Sequence, residues 1–217
     1  MTASLFDAHR PQIEGIVPLG EGAAVLRGFA YMQGEALLAQ VHAIADAAPF
    51  RHLVTPGGHT MSVAMTNCGT LGWISDPRGY RYSPTDPLTG NAWPAMPDAF
   101  MALARRAAAE LGFDDFVPDA CLVNRYAPGA KLSMHQDRNE RRDTQPIVSV
   151  SLGVPAMFRF GGQGRDVKPL DVPLFHGDVV VWGGPSRMNY HGIAQLKEAS
   201  HPLTERYRFN LTFRTAR

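Results

Sequence analysis

Seven short β-rich segments in the second half of the chain constrain its fold more than any other feature. Turns that contain Gly and Pro separate these segments, and short strands of this kind late in a chain favour a double-sheet jelly roll. The segments cover residues 120–126, 147–152, 156–160, 170–174, 179–182, 189–193 and 206–214. A short strand over residues 25–29 and two helices, over residues 33–47 and 97–112, are predicted before them. We therefore predict an α+β protein, mainly β: a double-stranded β-helix (jelly roll) with two supporting helices.

The last of these segments alternates strictly between two classes of side chain. One face carries the apolar and aromatic residues Tyr207, Phe209, Leu211 and Phe213. The other face carries the polar residues Arg206, Arg208, Asn210, Thr212 and Arg214. Since successive residues of a strand point to opposite faces, the apolar face is predicted to be buried. The polar face would meet solvent in an ordinary strand, but its arginines also suit a dicarboxylate, because a guanidinium binds a carboxylate in bidentate fashion.

A candidate metal site lies between these strands in the sequence. His135 and Asp137 are separated by one residue, so their side chains share a face if the chain is extended there. His191, which is 191 − 137 = 54 positions after Asp137, would complete a set of two imidazoles and one carboxylate. This set suits octahedral Fe(II) with open positions, whereas structural zinc prefers closed tetrahedral sites rich in Cys. In a chain with eight His, a chance surface pair is an equal interpretation of the first two residues alone.

These motifs, in this order, resemble the signature of the AlkB-type Fe(II)/2-oxoglutarate dioxygenases. The matching motifs are Asn124-x-Tyr126, His135-x-Asp137, His191 and Arg208-x5-Arg214. Longer matching stretches are TPGGHTMSVAMTNCG from Thr55, WPAMP from Trp93, PDACLVNRYAPGAKLSMHQD from Pro118, PIVSVSLG from Pro146, HGDVVVWGG from His176 and YHGI from Tyr190. The likeness covers nearly the whole chain except about the first dozen residues, and it is greatest with the bacterial nucleic-acid demethylases of the family.

The resemblance implies Fe(II) and 2-oxoglutarate as cofactors, with O2 as a further cosubstrate. The implied metal ligands, which are also the catalytic residues, are His135, Asp137 and His191. The implied contacts to 2-oxoglutarate are Asn124, Tyr126, Arg208, Asn210 and Arg214. Among these, Arg208 would pair with the distal carboxylate, while Asn124 and Arg214 would lie near the keto-acid end that chelates iron.

Residues 55–97 differ in character from the rest of the chain, because Gly and Pro interrupt them and Trp, Tyr and Met recur among them. By itself this composition indicates an irregular subdomain whose aromatic residues fill a small core. The resemblance instead implies a nucleotide-recognition lid, in which Trp73 would stack on one face of an extruded base and His135 would lie on the other. The implied substrate contacts are Thr55, Met61, Trp73, Tyr80, Arg81, Tyr82, Lys131, Asn139, Glu140 and Arg165. Lys131, Arg138, Arg165 and Arg187 are candidates for phosphate contact, with an ordinary solvated lysine or arginine as an at least equal alternative for each.

The implied activity is oxidative demethylation of N-alkylated bases, such as 1-methyladenine and 3-methylcytosine, with release of formaldehyde, succinate and CO2. The implied partners are single-stranded and double-stranded DNA, and RNA as well. One position departs from the family, since bacterial relatives carry an acidic residue two places after the metal Asp and this chain has Asn139. Asn keeps an acceptor oxygen but loses the charge that would attract a cationic base, although Glu140 follows it. We predict intact chemistry with an altered preference among methylated bases.

Three other functions fit parts of the pattern. A 2-oxoglutarate-dependent hydroxylase of a protein or small molecule would need no aromatic lid. A cupin-like binding module would need neither the complete ligand set nor both arginines. A zinc hydrolase would be expected to carry a general-base Glu beside its histidines, as in H-E-x-x-H, and this sequence has no such motif.

Composition sets the remaining bounds. With 217 residues and 45% hydrophobic content, the chain is predicted to form one domain, with a flexible tail over residues 1–18 and the jelly-roll core over residues 118–217. A net charge of +1 means that any grip on phosphates must come from a local patch. Cys68 and Cys121 are isolated, no signal-peptide pattern opens the chain, and no apolar run approaches the roughly 20 residues of a membrane span. We expect a monomeric cytoplasmic protein with no membrane partner.

Overall fold

A computed structural model describes residues 15–140 and 144–217 of the chain. These residues contain fourteen strands, two α-helices and two short 3-10 helices, joined by turns and loops. The α-helices are α1 (Gly34–Ala47) and α2 (Asp98–Ala109). The strands are β1 (Gly15–Gly20), β2 (Ala23–Arg27), β3 (Arg51–Val54), β4 (Thr60–Gly69), β5 (Gly72–Asp76), β6 (Gly79–Ser83), β7 (Ala120–Tyr126), β8 (Leu132–His135), β9 (Ile147–Gly153), β10 (Ala156–Phe160), β11 (Leu170–Leu174), β12 (Val179–Trp182), β13 (His191–Ile193) and β14 (Arg208–Arg214). The predicted class, α+β and mainly β, is confirmed.

The strands form two antiparallel sheets and one separate hairpin. The large sheet has the order β1-β2-β12-β9-β14-β7-β4-β3, and the small sheet has the order β11-β10-β13-β8. Strands β5 and β6 form the hairpin and pair with each other. Consecutive strands after β7 alternate between the large and the small sheet several times, as expected for the predicted double-sheet jelly roll.

The helices cover the outer face of the large sheet. Apolar residues recur along α1 and α2 at helical spacing, so each helix presents one apolar face for burial against the strands. The largest members of this outer core include Leu37, Val41, Phe100, Leu103, Leu152 and Phe213. A second core fills the space between the two sheets and includes Tyr126, Phe158, Phe160, Leu174 and Trp182. The fold therefore has three layers, with the helices, the large sheet and the small sheet in that order.

The centre of the inner face of the large sheet is polar although it is buried. Arg208 lies opposite Tyr126 of β7, and Asn210 lies opposite both Asn124 of β7 and Ser151 of β9. Every residue of β14 is buried. The polar face of this strand, which its alternation alone would have placed in solvent, therefore lines the interior of the jelly roll.

All seven strands predicted in the second half of the chain are present, with ends that differ by up to two residues. Strand β8 was missed, because its four residues are too few to show a periodicity. Helix α1 begins one residue later than predicted, and α2 covers Asp98–Ala109 rather than residues 97–112. Gly112 lies in the turn after α2 with φ +80°, the left-handed conformation that commonly follows a helix end.

The first half of the chain departs further from the predictions. The predicted tail is wrong for residues 15–18, which belong to the exposed edge strand β1, while residues 1–14 lie outside the described residues. The strand expected over residues 25–29 starts and ends two residues earlier, as β2. Within the predicted lid, residues 60–69 form β4, which pairs with β7 in the large sheet. Of the lid segment, the hairpin of β5 and β6 is the part that forms a separate sheet.

Two buried histidines stack against each other beside the large sheet. The rings of His176 and His201 are 4.6 Å apart at an angle of 23°. Nδ1 of His176 lies 3.0 Å from the backbone nitrogen of Gly153 and accepts its hydrogen bond, which requires an unprotonated Nδ1. Burial, and then the neighbouring His201, lower the pKa of His176 from 6.5 to about 4.

We expect His176 to make the protein less stable in acid. Because its pKa is lowered on folding, its contribution is complete above pH 6.5 and is lost as the pH falls towards about 4. When the pH falls from 7 to 5, the loss of this contribution should lower the free energy of unfolding by on the order of 1 kcal/mol. Urea unfolding at both pH values, compared with His176→Gln, which keeps an acceptor for Gly153, measures the effect. An identical pH dependence in the two proteins would contradict it.

Candidate functional site

The three predicted metal ligands meet at one edge of the small sheet. His135 ends β8 and His191 begins β13, and the two residues lie directly opposite each other in the antiparallel pair. Nε2 of His135 is 3.6 Å from Oδ1 of Asp137, and Nε2 of His191 is 3.8 Å from Oδ2 of the same carboxylate. One candidate ligand atom from each of the three residues lies within 4.8 Å of the others. This spacing allows the three side chains to bind a single metal ion.

Backbone carbonyl groups orient both imidazoles. Nδ1 of His135 is 2.9 Å from the carbonyl oxygen of Ser133, and Nδ1 of His191 is 3.0 Å from that of Asn189. A carbonyl only accepts, so each Nδ1 carries the proton and each Nε2 has its lone pair free for a metal. Burial, and then the nearby His135, lower the pKa of His191 to about 3, which keeps this ring in the neutral form that binds metals.

The carboxylate of Asp137 is held by an arginine from the large sheet. Nε and Nη2 of Arg214 lie 2.9 Å and 2.8 Å from Oδ2 of Asp137, and the side chains are 7% and 9% exposed respectively. Burial raises the pKa of Asp137, but the charge of Arg214 and the two histidines lower it more, so the pKa lies well below its usual range. Asp137 is therefore a carboxylate at neutral pH, as a metal ligand must be.

Arg208 provides an independent test of whether an anion fits the same interior. Its guanidinium is 1% exposed and lies 5.1 Å from the ring centre of Tyr126. Nη2 donates to Oγ of Ser151 at 2.9 Å, whereas Nε and Nη1 have no hydrogen-bond partner within the described residues. Burial lowers the pKa of Arg208, with Tyr126 opposing that shift. A buried cation with two unused donor nitrogens is costly, and a bound anion such as a carboxylate would reduce that cost by accepting from the guanidinium.

These observations fit the groups that the sequence implies. Two neutral imidazoles and an ionised carboxylate match a metal such as Fe(II), and Arg208 matches one end of a dicarboxylate. Oδ1 of Asn124 is also buried without a partner among the described residues, so it too can accept a donor from a bound group. The polar inner face of the large sheet reaches the metal ligands, because Arg214 of β14 donates to Asp137.

One cavity of about 580 Å³ joins the metal ligands to the segment predicted as the lid. The predicted residues that line it, besides the three metal ligands, are Thr55, Met61, Trp73, Tyr80, Asn124, Tyr126, Lys131, Asn139, Asn210 and Arg214. Arg208 does not line the cavity. Its guanidinium packs against the ring of Tyr126, which does line the cavity. The volume is within the range of sites that bind small molecules.

An aromatic pair forms part of this wall on the hairpin of β5 and β6. The rings of Trp73 and Tyr80 are 5.5 Å apart and nearly parallel, at 13°. Nε1 of Trp73 donates to Oδ1 of Asn139 at 3.4 Å, so the position that departs from the family lies beside the indole. The hairpin therefore presents a flat aromatic surface to the same cavity as the metal ligands.

Other predicted substrate contacts lie elsewhere. Arg81 forms a bidentate ion pair with Asp76, at 2.9 Å and 2.7 Å, within its own hairpin. Arg165 lies over the ring of Tyr190 at 4.7 Å, outside the cavity wall. Arg187 is wrong as a phosphate contact, because its side chain is 3% exposed and pairs with Glu140 at 3.2 Å.

Tyr82 and Glu140 also differ from the prediction. The Tyr82 hydroxyl donates to Oε1 of Glu140, whose side chain is 3% exposed, and neither residue lines the cavity. Glu140 therefore does not supply the base with the charge that Asn139 lacks. No sequence signal joins Tyr82 to Glu140, since 58 positions separate them.

Sequence reasoning also overlooked the polar residues of β9. Ser149 lines the cavity, and Ser151 accepts the hydrogen bond of Arg208. Their signal was available, because residues 148–151 alternate as Val-Ser-Val-Ser and so put both serines on one face. The orienting carbonyl groups of Ser133 and Asn189 carry no such signal, since any residue type provides a carbonyl.

Comparisons with known proteins agree with this geometry. The sequence pattern of a family described as the 2OG-Fe(II) oxygenase superfamily matches residues 22–214. A protein of Escherichia coli (strain K12) named alpha-ketoglutarate-dependent dioxygenase AlkB is 58% identical over 199 residues, which is 92% of each chain. A Homo sapiens protein named nucleic acid dioxygenase ALKBH1 is 30% identical over 127 residues, which cover 58% of this chain and 32% of the human protein. The solved structure of OsALKBH1 superposes with a TM-score of 0.80 at 29% identity, over 93% of this chain and 100% of the other.

Neither α-helix of the described residues combines the length and the apolar character that crossing a lipid bilayer requires.

Proposed function

We propose that this chain, which belongs to the AlkB group of the 2OG-Fe(II) oxygenase superfamily, oxidatively demethylates N-alkylated bases in nucleic acid. It is a dioxygenase that uses Fe(II), 2-oxoglutarate and O2. The observation that carries the proposed substrate is the cavity that joins the stacked Trp73–Tyr80 pair to the metal ligands. The human relative, which is named nucleic acid dioxygenase, supports the same substrate class.

The chain's own residues hold the reactants in this proposal. His135, Asp137 and His191 bind the metal through Nε2, a carboxylate oxygen and Nε2, while Arg214 keeps Asp137 ionised. When bound, Fe(II), 2-oxoglutarate and O2 supply the oxidation of one methyl C–H bond, coupled to formation of succinate and CO2. The resulting hydroxymethyl group on the base nitrogen is then released as formaldehyde, which restores the unmethylated base.

The cosubstrate is proposed to lie along the polar inner face of the large sheet. Arg208, whose guanidinium has unused donors, binds its distal carboxylate, with Tyr126 and Asn210 nearby in the cavity wall. Asn124 and Arg214, which also line the cavity, lie towards the keto-acid end. The matched register of β14 and β7 supports this assignment, because it places these residues on one face.

The base is proposed to enter from the hairpin side. A base methylated on its pairing edge cannot pair normally, so extruding it from a duplex costs less than for an intact base. The Trp73–Tyr80 pair, which lines the cavity, offers an aromatic surface for stacking, worth about 1–3 kcal/mol per base. Base contacts from this wall would set specificity, while the exposed Lys131, Arg138 and Arg165 remain candidates for phosphate contact.

The same proposal covers partners and location. With a net charge of +1, binding to DNA or RNA should be moderate, stronger for single strands and weaker as salt is added. We propose that the protein acts as a monomer in the cytoplasm, where a reducing environment keeps Cys68 and Cys121 as free thiols.

The direct test of the substrate is the fate of the base. The protein is incubated with Fe(II), 2-oxoglutarate and a single-stranded oligonucleotide that carries one 1-methyladenine, and the base is identified by mass spectrometry. Restored adenine is expected, and the unmethylated oligonucleotide of the same sequence serves as the control. Unchanged 1-methyladenine, together with succinate formation, would mean that the enzyme oxidises a different substrate class.

Asn139→Asp is expected to favour cationic bases over neutral ones. The side chain lies in the cavity wall beside Nε1 of Trp73, where a carboxylate would attract a base that carries a positive charge. Because residue 139 is exposed, the gain should be about 1 kcal/mol or less, or up to about fivefold in relative kcat/KM. The measurement compares 1-methyladenine, which is cationic, with 3-methylthymine, which is neutral. A ratio equal to that of the unsubstituted protein would show that residue 139 does not influence base preference.

A further inference from the structure

Glu140 lies at the centre of a buried polar network beside the metal ligands. Its Oε1 accepts the hydroxyl of Tyr82, and Nη2 of Arg187 lies 3.2 Å from its Oε2. Nε of Arg214 is 3.5 Å from Oε1 of the same carboxylate. The side chains of Glu140, Arg187 and Arg214 are 3%, 3% and 7% exposed. Charges buried this deeply depend on one another, because removing one partner leaves the others unsatisfied.

Both arginines of this network also hold the metal ligand Asp137. Arg214 donates twice to its Oδ2, and Nη1 of Arg187 donates to its backbone carbonyl oxygen at 3.1 Å. Glu140 therefore steadies two cations that fix Asp137 at its side chain and at its main chain. Groups that hold a metal ligand in this way commonly tune metal affinity.

Arg214 lies between the carboxylates of Asp137 and Glu140. Nη2 of Arg214 is 2.8 Å from Oδ2 of Asp137, and Nε of Arg214 is 3.5 Å from Oε1 of Glu140. That oxygen already accepts the hydrogen bond of Tyr82. Since a carboxylate oxygen can accept more than one hydrogen bond, the hydroxyl fixes the Glu140 carboxylate in the position from which it steadies Arg214.

Tyr82 links this network to the aromatic wall of the cavity. It lies on β6 directly opposite Trp73 of β5, so both side chains project from the same face of the hairpin. Its ring packs with Leu71, Ala120 and Ala216 in a small apolar cluster. The hydroxyl of Tyr82 is thus a fixed connection between the hairpin and Glu140.

We propose that Tyr82 is a positioning residue whose hydroxyl, through Glu140 and Arg214, holds Asp137 in the orientation that binds the metal. The same contact connects the hairpin that carries Trp73 to the metal ligands. Binding of a base to the hairpin and correct positioning of Asp137 at the metal site should therefore favour each other. The last statement rests on the proposed nucleic-acid function, whereas the first does not depend on the substrate.

The first test measures Mn(II) affinity in the absence of nucleic acid, by electron paramagnetic resonance titration. Tyr82→Phe removes the hydroxyl and keeps the ring in its apolar cluster. Tyr31→Phe is the matched control, because Tyr31 packs edge-on against His176 outside the network. We expect about a tenfold weaker Mn(II) affinity for Tyr82→Phe, as for loss of other groups that orient a metal ligand, with circular dichroism at the titration temperature establishing that both variants are folded. An affinity within twofold of Tyr31→Phe would overturn the proposal.

A double-mutant cycle tests whether Tyr82 acts through Glu140. Glu140→Gln keeps an acceptor for Tyr82 but removes the charge that faces Arg187 and Arg214. If the residues act in series, adding Tyr82→Phe to Glu140→Gln should weaken Mn(II) binding by less than twofold further. Fully additive losses would overturn the route through Glu140.

The coupling to substrate is read from the products. With a methylated oligonucleotide, Tyr82→Phe should form at least twice as much succinate per formaldehyde as Tyr31→Phe does. Equal ratios would overturn the coupling while the Mn(II) result stands. The absence of formaldehyde from the unsubstituted protein would instead refute the proposed function, so the two failures are distinguishable.

Discussion

Asp137→Asn is expected to lower the affinity for Mn(II) or Fe(II) by more than about 100-fold, which exceeds the usual effect of losing a group that only orients a ligand. The amide keeps the size of the side chain but is neutral, so it is a poor replacement for a carboxylate ligand. It also removes the charge that holds Arg214 at 2.8 Å, so the remaining partner of that arginine is Glu140. Because the variant no longer binds the metal, its demethylation activity should fall below detection.

The measurement for Asp137→Asn is a metal titration combined with circular dichroism, which establishes that the variant is folded. Arg138→Gln is the control, since Arg138 is exposed and adjacent in sequence but is not a metal ligand. A variant that keeps metal affinity within tenfold of the unsubstituted protein would mean that Asp137 is not a ligand.

Arg208→Met is expected to raise the KM for 2-oxoglutarate by about 100-fold or more, because a charge-assisted bidentate pair is lost and a carboxylate is left without its partner. The same substitution should not destabilise the protein in the absence of 2-oxoglutarate. Nε and Nη1 of Arg208 are buried without partners among the described residues, and replacing an uncompensated buried charge by an apolar side chain is neutral or stabilising.

These two expectations for Arg208→Met separate binding from folding. Melting temperatures with Mn(II), measured with and without 2-oxoglutarate, should show a ligand-induced rise in the unsubstituted protein and none in Arg208→Met. Arg206→Met is the matched control, because Arg206 is 55% exposed and pairs with Glu198 at the surface. If 2-oxoglutarate stabilises Arg208→Met as much as Arg206→Met, the assignment of the distal carboxylate is wrong.

The parts of the fold that sequence reasoning predicted well are those with a long periodic signal. Strand β14 alternates over its whole length, and the structure buries Phe209, Leu211 and Phe213 on the outer face as expected. The burial of its polar face was not derivable from alternation, because a polar face looks the same in sequence whether it meets solvent or a cosubstrate. The family motifs supplied that distinction.

The metal ligands were predictable because their chemistry restricts the residue types. His135, Asp137 and His191 do come together, although the strand β8 that delivers His135 was missed. A four-residue strand carries little pattern, whereas the pairing of β8 with β13 depends on the complete sheet.

The predictions failed where a side chain's role depends on distant partners. Arg187 carries the same charge as Arg138, but Arg187 is buried against Glu140 and Arg138 is exposed. Tyr80 and Tyr82 are only two positions apart, but their roles differ. The hydroxyl of Tyr82 donates to Glu140, whereas Tyr80 lines the cavity. Burial and ion pairing of this kind are set by three-dimensional packing, which a linear sequence does not display.

Oxidative demethylation by this protein should produce succinate and formaldehyde together, and the amounts of the two products can be measured in one reaction. The protein is supplied with Fe(II), 2-oxoglutarate, O2 and a single-stranded oligonucleotide that bears one 1-methyladenine. We predict equal amounts of the two products, and neither product from His135→Ala under the same conditions. Succinate without formaldehyde, or formaldehyde that persists in His135→Ala, would contradict the account.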